Sequence, residues 1–368
     1  MRIGYDAKRI FHNASGLGNY SRDLVRILAT YYPKNHYHLY NPKKGKLNRW
    51  SGLPNTNEKR PKGIWRCLPS IWRQGPISSQ LKKDNIDLYH GLSGELPNGL
   101  DIPSVVTVHD LIFYRYPALY KTVDVAIQKR KLNDAVKTAS KIVAISEQTK
   151  SDIVQFTGIS AEKIDVIYQG CHPVFKDRLN KKQLKVITEK YQLPEHFVLY
   201  VGTLEERKNA LSIAKALKET KHNVVFVGKV KAYGEKLKTY VNENNMQDRV
   251  VFINHIGIED LAGIYQNANV FCYPSFFEGF GIPIIEALYS GIPVITTKGG
   301  CFSEAGGPSS IYIDPVDIKA LRNAIETLFN ESETSRNKRI EDGLAFVQKF
   351  NDEVLVKQWN AIYISLLS

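Results

Sequence analysis

Two glutamates carry the first chemical signal in the chain. In Tyr273-Pro-Ser-Phe-Phe-Glu-Gly-Phe-Gly-Ile-Pro-Ile-Ile-Glu286, Glu278 and Glu286 bracket a Gly-Phe-Gly turn and are separated by seven residues. The β-branched and aromatic run Val270–Tyr273 precedes them and Pro283 suits a first helical turn, so the order predicted is strand, turn, helix. Gly279 and Gly281 permit close backbone approach. The amides of Gly279, Phe280, Gly281 and Ile282, at a helix start, suit an anionic or hydroxyl-rich ligand. With Glu278 before the helix and Glu286 about one turn inside, one ligand lying over the turn meets both acids, as a sugar and a ribose require. Either acid alone is what a helix dipole favours. Strand, aromatics, glycines and spacing together point to a site.

A second loop, Val201-Gly-Thr-Leu-Glu-Glu-Arg-Lys-Asn209, leaves a predicted strand and precedes a helix that Asn209 is expected to cap. Arg207 and Lys208 stand just before that helix, where cations oppose the macrodipole by about 0.3–1 kcal/mol. The pair makes sense against an anion, and a diphosphate held near Gly202 and Thr203 is the natural one. No Asp-x-Asp pair exists to hold a metal against a diphosphate, so the two cations take that part and neither metal nor other cofactor is expected. The plainer alternative is a solvated turn in which Glu205 and Glu206 neutralise them.

Two further features lie in the first half. Ser15-Gly-Leu-Gly-Asn-Tyr20 has two of the three glycines of a dinucleotide fingerprint, with Ser21 in the third position. Its distance from the first strand, about ten residues, argues against a dinucleotide, and Gly16 and Gly18 are read as amides touching phosphate or substrate. His109 ends the run Ser104-Val-Val-Thr-Val-His-Asp110, so it stands at the carboxyl edge of a strand, where its side chain or carbonyl can face a reacting group. No G-x-x-x-x-G-K-[ST] sequence is present, and the four cysteines, Cys67, Cys171, Cys272 and Cys301, lack zinc-ligand spacing and read as reduced thiols.

The elements that position these loops follow from an alternation of short apolar runs with segments of helical period, the pattern of parallel sheets covered by helices. Strands are expected near Arg2–Asp6, Tyr37–Tyr40, Asp87–His90, Val105–His109, Ile142–Ile145 and Asp165–Tyr168, and again near Phe197–Val201, Val224–Val227, Val250–Ile253, Val270–Tyr273 and Val294–Thr296. The fold class is α/β with two doubly wound Rossmann-like domains, 1–175 and 176–351, facing across a cleft. The lysine-rich stretch Cys171–Leu193 shows no apolar period and reads as the hinge. The terminal segment 352–368 carries Val354, Leu355, Trp359, Ile362 and Leu366 at helical spacing.

Size and charge narrow the class. A chain of 368 residues suits two domains. Apolar residues at 43% and charged at 24% exclude collagen-like and disordered classes, and no run is long and apolar enough to cross a bilayer. Of the net charge of +13, residues 1–177 supply +12, from 27 Lys and Arg against 15 Asp and Glu. Between Arg26 and Lys83, 13 basic residues face one acid, Glu58, among Trp50, Ile64, Trp65, Ile71 and Trp72. That stretch suits an anionic membrane leaflet or a lipid-diphosphate substrate. Nucleic acid and a plain solvated face are the competing readings, and no nucleic-acid partner is expected.

Taken together, these residues resemble the GT-B glycosyltransferases of glycosyltransferase family 4, whose hallmark is two glutamates separated by seven residues. The resemblance spans nearly the whole chain through Gly16-Leu-Gly18, His109, Ala144-Ile-Ser146, Gly202, Arg207-Lys208 and Glu278-Gly-Phe-Gly281. Within the family, His109-Asp-Leu-Ile-Phe-Tyr-Arg-Tyr-Pro117 is most similar to mannosyltransferase-like members that build bacterial surface polysaccharides. The resemblance implies that Glu278 contacts the donor sugar, Glu286 the ribose, and Arg207 and Lys208 the diphosphate. The amides of Gly279–Gly281 would meet sugar and phosphate, and His109 the carbon under attack. It also implies a first domain that holds the acceptor, a second that holds the donor, and a terminal helix, 352–368, that crosses back to the first domain. Many relatives carry Arg where this chain has Thr203, which places more of the phosphate's charge on Arg207 and Lys208.

The function so implied is a retaining transferase that moves a hexose, mannose from its GDP-sugar, onto a glycan or lipid-linked acceptor, in the cytoplasm and peripheral on the inner face of the cytoplasmic membrane. A non-transferring nucleotide-sugar 2-epimerase would share the cleft. A non-catalytic scaffold or nucleic-acid-binding protein would use only the basic stretch.

Overall fold

The computed structural model describes residues 1–14, 16–45, 50 and 52–368. Ser15, and Lys46 and Arg49 of the basic stretch, lie outside the described residues. The chain divides into two compact units, Met1–Gly170 with Phe350–Ser368, and Cys171–Lys349.

The first unit is a parallel sheet. Its strands are β1 (Arg2–Asp6), β2 (His36–Tyr40), β3 (Thr56–Lys59), β4 (Leu88–Gly91), β5 (Ser104–Val108), β6 (Lys141–Ala144) and β7 (Ile164–Val166), in the order β3-β2-β1-β4-β5-β6-β7. Helices cover both faces of such a sheet, so inner strands read as unbroken apolar runs, and all five residues of β5 are buried. The chain winds outward from β1 to β3, then returns to β4 on the other flank of β1, with Tyr5 beside His90. The β1/β4 boundary is therefore the point where strand order reverses, a place where ligands bind in open α/β sheets.

The second unit repeats the plan with β8 (Phe197–Val201), β9 (Asn223–Val227), β10 (Val250–Ile253), β11 (Val270–Tyr273), β12 (Val294–Thr297) and β13 (Ile311–Ile313), all parallel, in the order β10-β9-β8-β11-β12-β13. Its reversal lies between β8 and β11, where Phe271 pairs with Leu199.

Three features differ from the sequence expectation. Two of the edge strands, β3 and β13, were not expected: β3 is Thr-Asn-Glu-Lys, with no apolar residue, and β13, Ile-Tyr-Ile, is apolar but only three residues long. The lysine-rich stretch read as the hinge contains the helix Lys181–Tyr191, begun by a capping box between Asn180 and Gln183. Only Ile187 of that helix is fully buried, packed on Gly263, so its single narrow apolar contact was hidden among lysines. The boundary falls after Gly170 rather than after Phe175, because Phe175 is buried against Tyr265 in the second unit.

The helix Asp352–Ser365 packs with the helix Gly16–Tyr31 in the first unit. Leu355, Val356, Trp359, Ile362 and Tyr363 join Leu24, Leu28 and Tyr5 in one core, and Arg26 binds Asp352 at 2.7 Å. Val354, expected on that face, is exposed instead.

Candidate functional site

Two loops meet at the reversal point of the second unit. The loop after β8 carries Arg207 and Lys208, and the loop after β11 carries Glu278. The Phe276 amide donates to the Arg207 carbonyl at 2.8 Å and the Ser275 hydroxyl to the same oxygen at 3.1 Å. Arg207 Nη1 returns a bond to the Phe277 carbonyl. Asn209 takes a left-handed backbone and does not cap the following helix; its Nδ2 donates to the carbonyls of Pro274 and Pro315 at 3.2 and 2.7 Å. The expected capping residue is thus a clamp between loops, because its φ of 54° turns the side chain away from the helix amides.

This clamp gathers charge around one carboxylate oxygen. Glu278 Oε1 lies 2.9 Å from Arg207 Nη1 and 3.1 Å from Lys208 Nζ, and accepts from the hydroxyls of Tyr273 at 2.8 Å and Ser275 at 2.9 Å. Burial alone would raise the Glu278 pKa, but the Lys208 and Arg207 charges and these hydrogen bonds win and hold it at about 2. Lys208 also donates to the Tyr273 hydroxyl at 2.5 Å, and Arg207 Nη2 binds Glu205 at 2.9 Å. Of Glu205 and Glu206, the neutralising partners of the plainer alternative, the structure pairs Glu205 with Arg207 and adds Glu278, far along the chain but on the loop of the neighbouring strand.

Glu286 has the opposite environment. It stands on the helix Ile282–Tyr289, half-buried, with the Tyr265 hydroxyl donating to Oε2 at 2.9 Å. Burial pushes its pKa up to about 7, opposed only in part by that hydrogen bond. One loop therefore presents an ionised carboxylate and, eight positions on, a carboxyl poised to hold or release a proton near neutrality.

The glycines have identifiable reasons. Gly281, at φ +111°, turns the chain into the helix, and a Cβ there would meet Ile284 at 3.0 Å. Gly202, at φ +155°, would bring a Cβ within 3.2 Å of the Tyr200 hydroxyl and 3.3 Å of the Lys208 side chain. The Phe280 side chain is buried and Ile282 is half-buried. Thr203 is half-buried, and its carbonyl accepts from the Tyr200 hydroxyl at 3.2 Å.

In the first unit, His109 follows β5 and is fixed at both ring nitrogens. Nε2 meets the Leu92 carbonyl at 2.9 Å and Nδ1 meets the Gln169 amide nitrogen at 3.0 Å. A carbonyl can only accept, so Nε2 carries the proton and Nδ1 accepts: the ring is neutral. Burial lowers its pKa to about 4. Its carbonyl accepts from the Thr149 hydroxyl at 3.2 Å, and its ring meets Tyr20 edge-on. The Tyr20 hydroxyl joins a buried chain running through Thr107 and His90 to Tyr363 on the terminal helix. Gly18, inside the helix Gly16–Tyr31, admits no side chain, since a Cβ would come within 1.9 Å of the Asn13 carbonyl; Gly16 begins that helix in open space.

The basic stretch is less uniform than its sequence. Arg26 pairs with Asp23 and Asp352, Lys59 with Asp84, Arg60 with Glu58, and Arg73 with Asp6. Trp72 was expected among the surface aromatics and is instead 2% exposed, in a core with Tyr40, Ile77 and Leu81. Ile64, Leu68 and Ile71 are exposed there, as is Tyr31. The sequence reading also left three kinds of partner unassigned: Tyr273 and Ser275, Tyr265, and the group Asp6, Arg73 and Glu95. Asp6 had a usable signal, as an acid at the carboxyl end of the first predicted strand. Arg73 was indistinguishable from its basic neighbours.

Residues 181–344 match the family described as "Glycosyl transferases group 1", and residues 15–174 match "Glycosyltransferase Family 4". The chain is 26% identical to the Escherichia coli "O-antigen chain mannosyltransferase B" over 96% of its own length and 97% of that protein's. It is 30% identical to the Salmonella typhimurium "O-antigen chain mannosyltransferase RfbU" over 61% of this chain, spanning 60% of that relative. In structure it resembles a sucrose-phosphate synthase of Thermosynechococcus elongatus, with a TM-score of 0.83 at 22% identity, covering 99% of this chain and 98% of that one. It also resembles Anabaena Alr3699/HepE, solved with UDP and glucose, with a TM-score of 0.77 at 18% identity, covering 99% of this chain and 100% of that one. No helix among the described residues is long and apolar enough to cross a membrane.

Proposed function

We propose, for a chain that belongs to the group 1, family 4 glycosyltransferases, that its substrate is a nucleotide sugar, best read as GDP-mannose, whose hexose it transfers with retention to a glycan or lipid-linked acceptor in surface-polysaccharide synthesis. The observation that carries this reading is the Glu278 carboxylate gripped by Arg207, Lys208, Tyr273 and Ser275 at the reversal point of the second unit. Mannose is favoured by the names of the two O-antigen relatives.

In this scheme the donor's diphosphate settles against Arg207 and Lys208, and Glu278 accepts hydrogen bonds from sugar hydroxyls. Glu286 meets the ribose, and the amides of Gly279–Gly281 meet sugar and phosphate. As the bond from the anomeric carbon to the diphosphate oxygen breaks, negative charge grows on the leaving group and positive charge on the ring. Two fixed cations stabilise the first and the ionised Glu278 the second, with no reorganisation at the moment of reaction. The acceptor hydroxyl attacks from the face the diphosphate leaves, and its proton passes to a leaving phosphate oxygen. His109, with both nitrogens engaged, has no proton-transfer role. Metal is not required, because the cations that would replace it are already fixed in the loop.

The test is thermal-shift binding with GDP-, UDP-, ADP- and dTDP-sugars in EDTA, followed by transfer assays. A selective shift for the GDP-sugar and transfer with retained configuration are expected. A shift that appears only with added divalent ion would overturn the metal-free reading; a shift with another base would replace the donor. Peripheral attachment to an anionic bilayer is part of the same proposal, supported by exposed Ile64, Leu68 and Ile71 among Lys62 and Arg66. Ile64→Ser with Ile71→Ser should weaken binding to phosphatidylglycerol vesicles several-fold, and unchanged binding would remove that part.

A further inference from the structure

The reversal point of the first unit holds a second cluster of opposed charges. Asp6 closes β1 and is 3% exposed. Arg73, on the helix Pro69–Gln74, reaches it with Nη2 at 2.5 Å and Nε at 3.3 Å, and the same Nη2 lies 3.2 Å from Glu95 Oε2 in the loop after β4. Lys131, on the helix Thr122–Thr138, donates to that Glu95 oxygen at 3.3 Å. Four separate elements thus converge on one spot between β1 and β4.

The cluster borders a cavity of about 60 Å³ lined by Asp6, Arg73, Tyr89, Glu95, Asn98 and Lys131. That space admits a few water-sized groups, the hydroxyl-bearing edge of a ring rather than a whole one. The charges that line it balance: the carboxylates of Asp6, Glu95 and Asp134 face the cations of Arg73, Arg130 and Lys131. An anion would gain from the cations only what it lost to the carboxylates. A vicinal diol, which donates and accepts at each oxygen, can bond both signs at once without bringing uncompensated charge. Stability alone is a weak reason for the arrangement, since a partly buried ion network of this kind seldom outperforms apolar packing of the same volume.

We infer that this cavity binds an uncharged, hydroxyl-rich pyranose of the acceptor, with Glu95 and Lys131 at its rim and the Asp6–Arg73 pair at its floor; the word acceptor rests on the transferase reading, while saccharide binding does not. Glu95 and Lys131 set specificity through hydrogen bonds to adjacent ring hydroxyls, and Asp6 holds the Arg73 guanidinium in place as a positioning residue.

The experiment uses the full chain, Glu95→Gln and Lys131→Met, with methyl α-D-mannopyranoside as the probe in saturation-transfer NMR without donor. A saccharide signal in the wild type that is lost in both variants is expected. In transfer assays with a mannose-terminated oligosaccharide, Glu95→Gln should raise the acceptor KM about 10- to 100-fold, the loss of one charge-assisted hydrogen bond, while its nucleotide-induced thermal shift matches the wild type. No wild-type signal, equal signals in all three proteins, or displacement by inorganic pyrophosphate would overturn the inference. If no nucleotide sugar is turned over yet the saccharide signal is present and lost in the variants, the transferase reading falls and the saccharide site stands.

Discussion

The two reversal points are built alike and charged differently. At β8/β11 the guanidinium of Arg207 meets Glu278 at 2.9 Å; at β1/β4 the guanidinium of Arg73 meets Asp6 at 2.5 Å. In the second unit two cations and two hydroxyls converge on a single carboxylate oxygen, so charge is concentrated where a diphosphate could compete for it. In the first unit the charges alternate along a wall, Asp6, Arg73, Glu95 and Lys131, and cancel. The lesson is that a carboxylate–guanidinium pair at a strand end has no fixed meaning. The number and placement of the remaining charges decide whether the site suits an anionic leaving group or a neutral polyol.

The comparison breaks most readily at Glu278. Glu278→Ala should lower transfer by about 10³-fold or more while the fold survives, and Lys208→Ala should act in the same direction. Turnover measured beside a thermal melt checks both, and near-normal rates would erase the chemical half of the contrast.

The next largest effect separates the two glutamates of one loop. Glu278, held at about 2 against an ordinary value of 4.5, stabilises the fold fully above pH 4.5 and loses that contribution as pH falls toward 2. Glu286, raised to about 7, behaves inversely: its contribution is present below pH 4.5 and is lost as pH rises through 7. Each swing is worth about 3 kcal/mol, by order of magnitude. Urea titrations across pH should therefore show Glu286→Gln gaining on the wild type above pH 6 and Glu278→Gln losing to it at pH 5 to 7. Parallel curves for the two variants would mean that the loop does not split their environments.

Smaller is the cost of loosening the first unit's pair. Asp6→Asn keeps a hydrogen-bonding oxygen but removes the charge facing Arg73, and should cost about 2 kcal/mol in urea unfolding while leaving the nucleotide-induced thermal shift in place. A lost nucleotide shift would show that the two clusters are coupled rather than separate. Smallest is Asn209→Ala, which removes two bonds to the Pro274 and Pro315 carbonyls, about 1 kcal/mol. Its use is diagnostic: turnover falling by more than stability would mean that the clamp sets the position of Arg207.

What could be read without coordinates follows the chain. The inner strands of both sheets were legible because burial on both faces writes them as apolar runs, whereas β3, Thr-Asn-Glu-Lys at an edge, has no such signature and the Ile-Tyr-Ile of β13 is too short a run to stand out. The helix Lys181–Tyr191 was hidden because one buried isoleucine among lysines makes no visible period. Trp72 was misjudged because neighbouring bases say nothing about which way an aromatic side chain points.

By itself the sequence determined the α/β alternation in both halves and the loop from Tyr273 to Glu286, since strand, glycine turn and helix start are local and the two acids lie on one continuous stretch. Only the tertiary structure decided that Arg207 and Lys208 grip Glu278, some 70 positions away, that Asp6 finds Arg73 across 67, and that two glutamates of one loop are driven to opposite ends of the acid range. Those outcomes depend on strand order and on the distance between charges once water is excluded, and neither quantity is encoded in the spacing of residues along the chain.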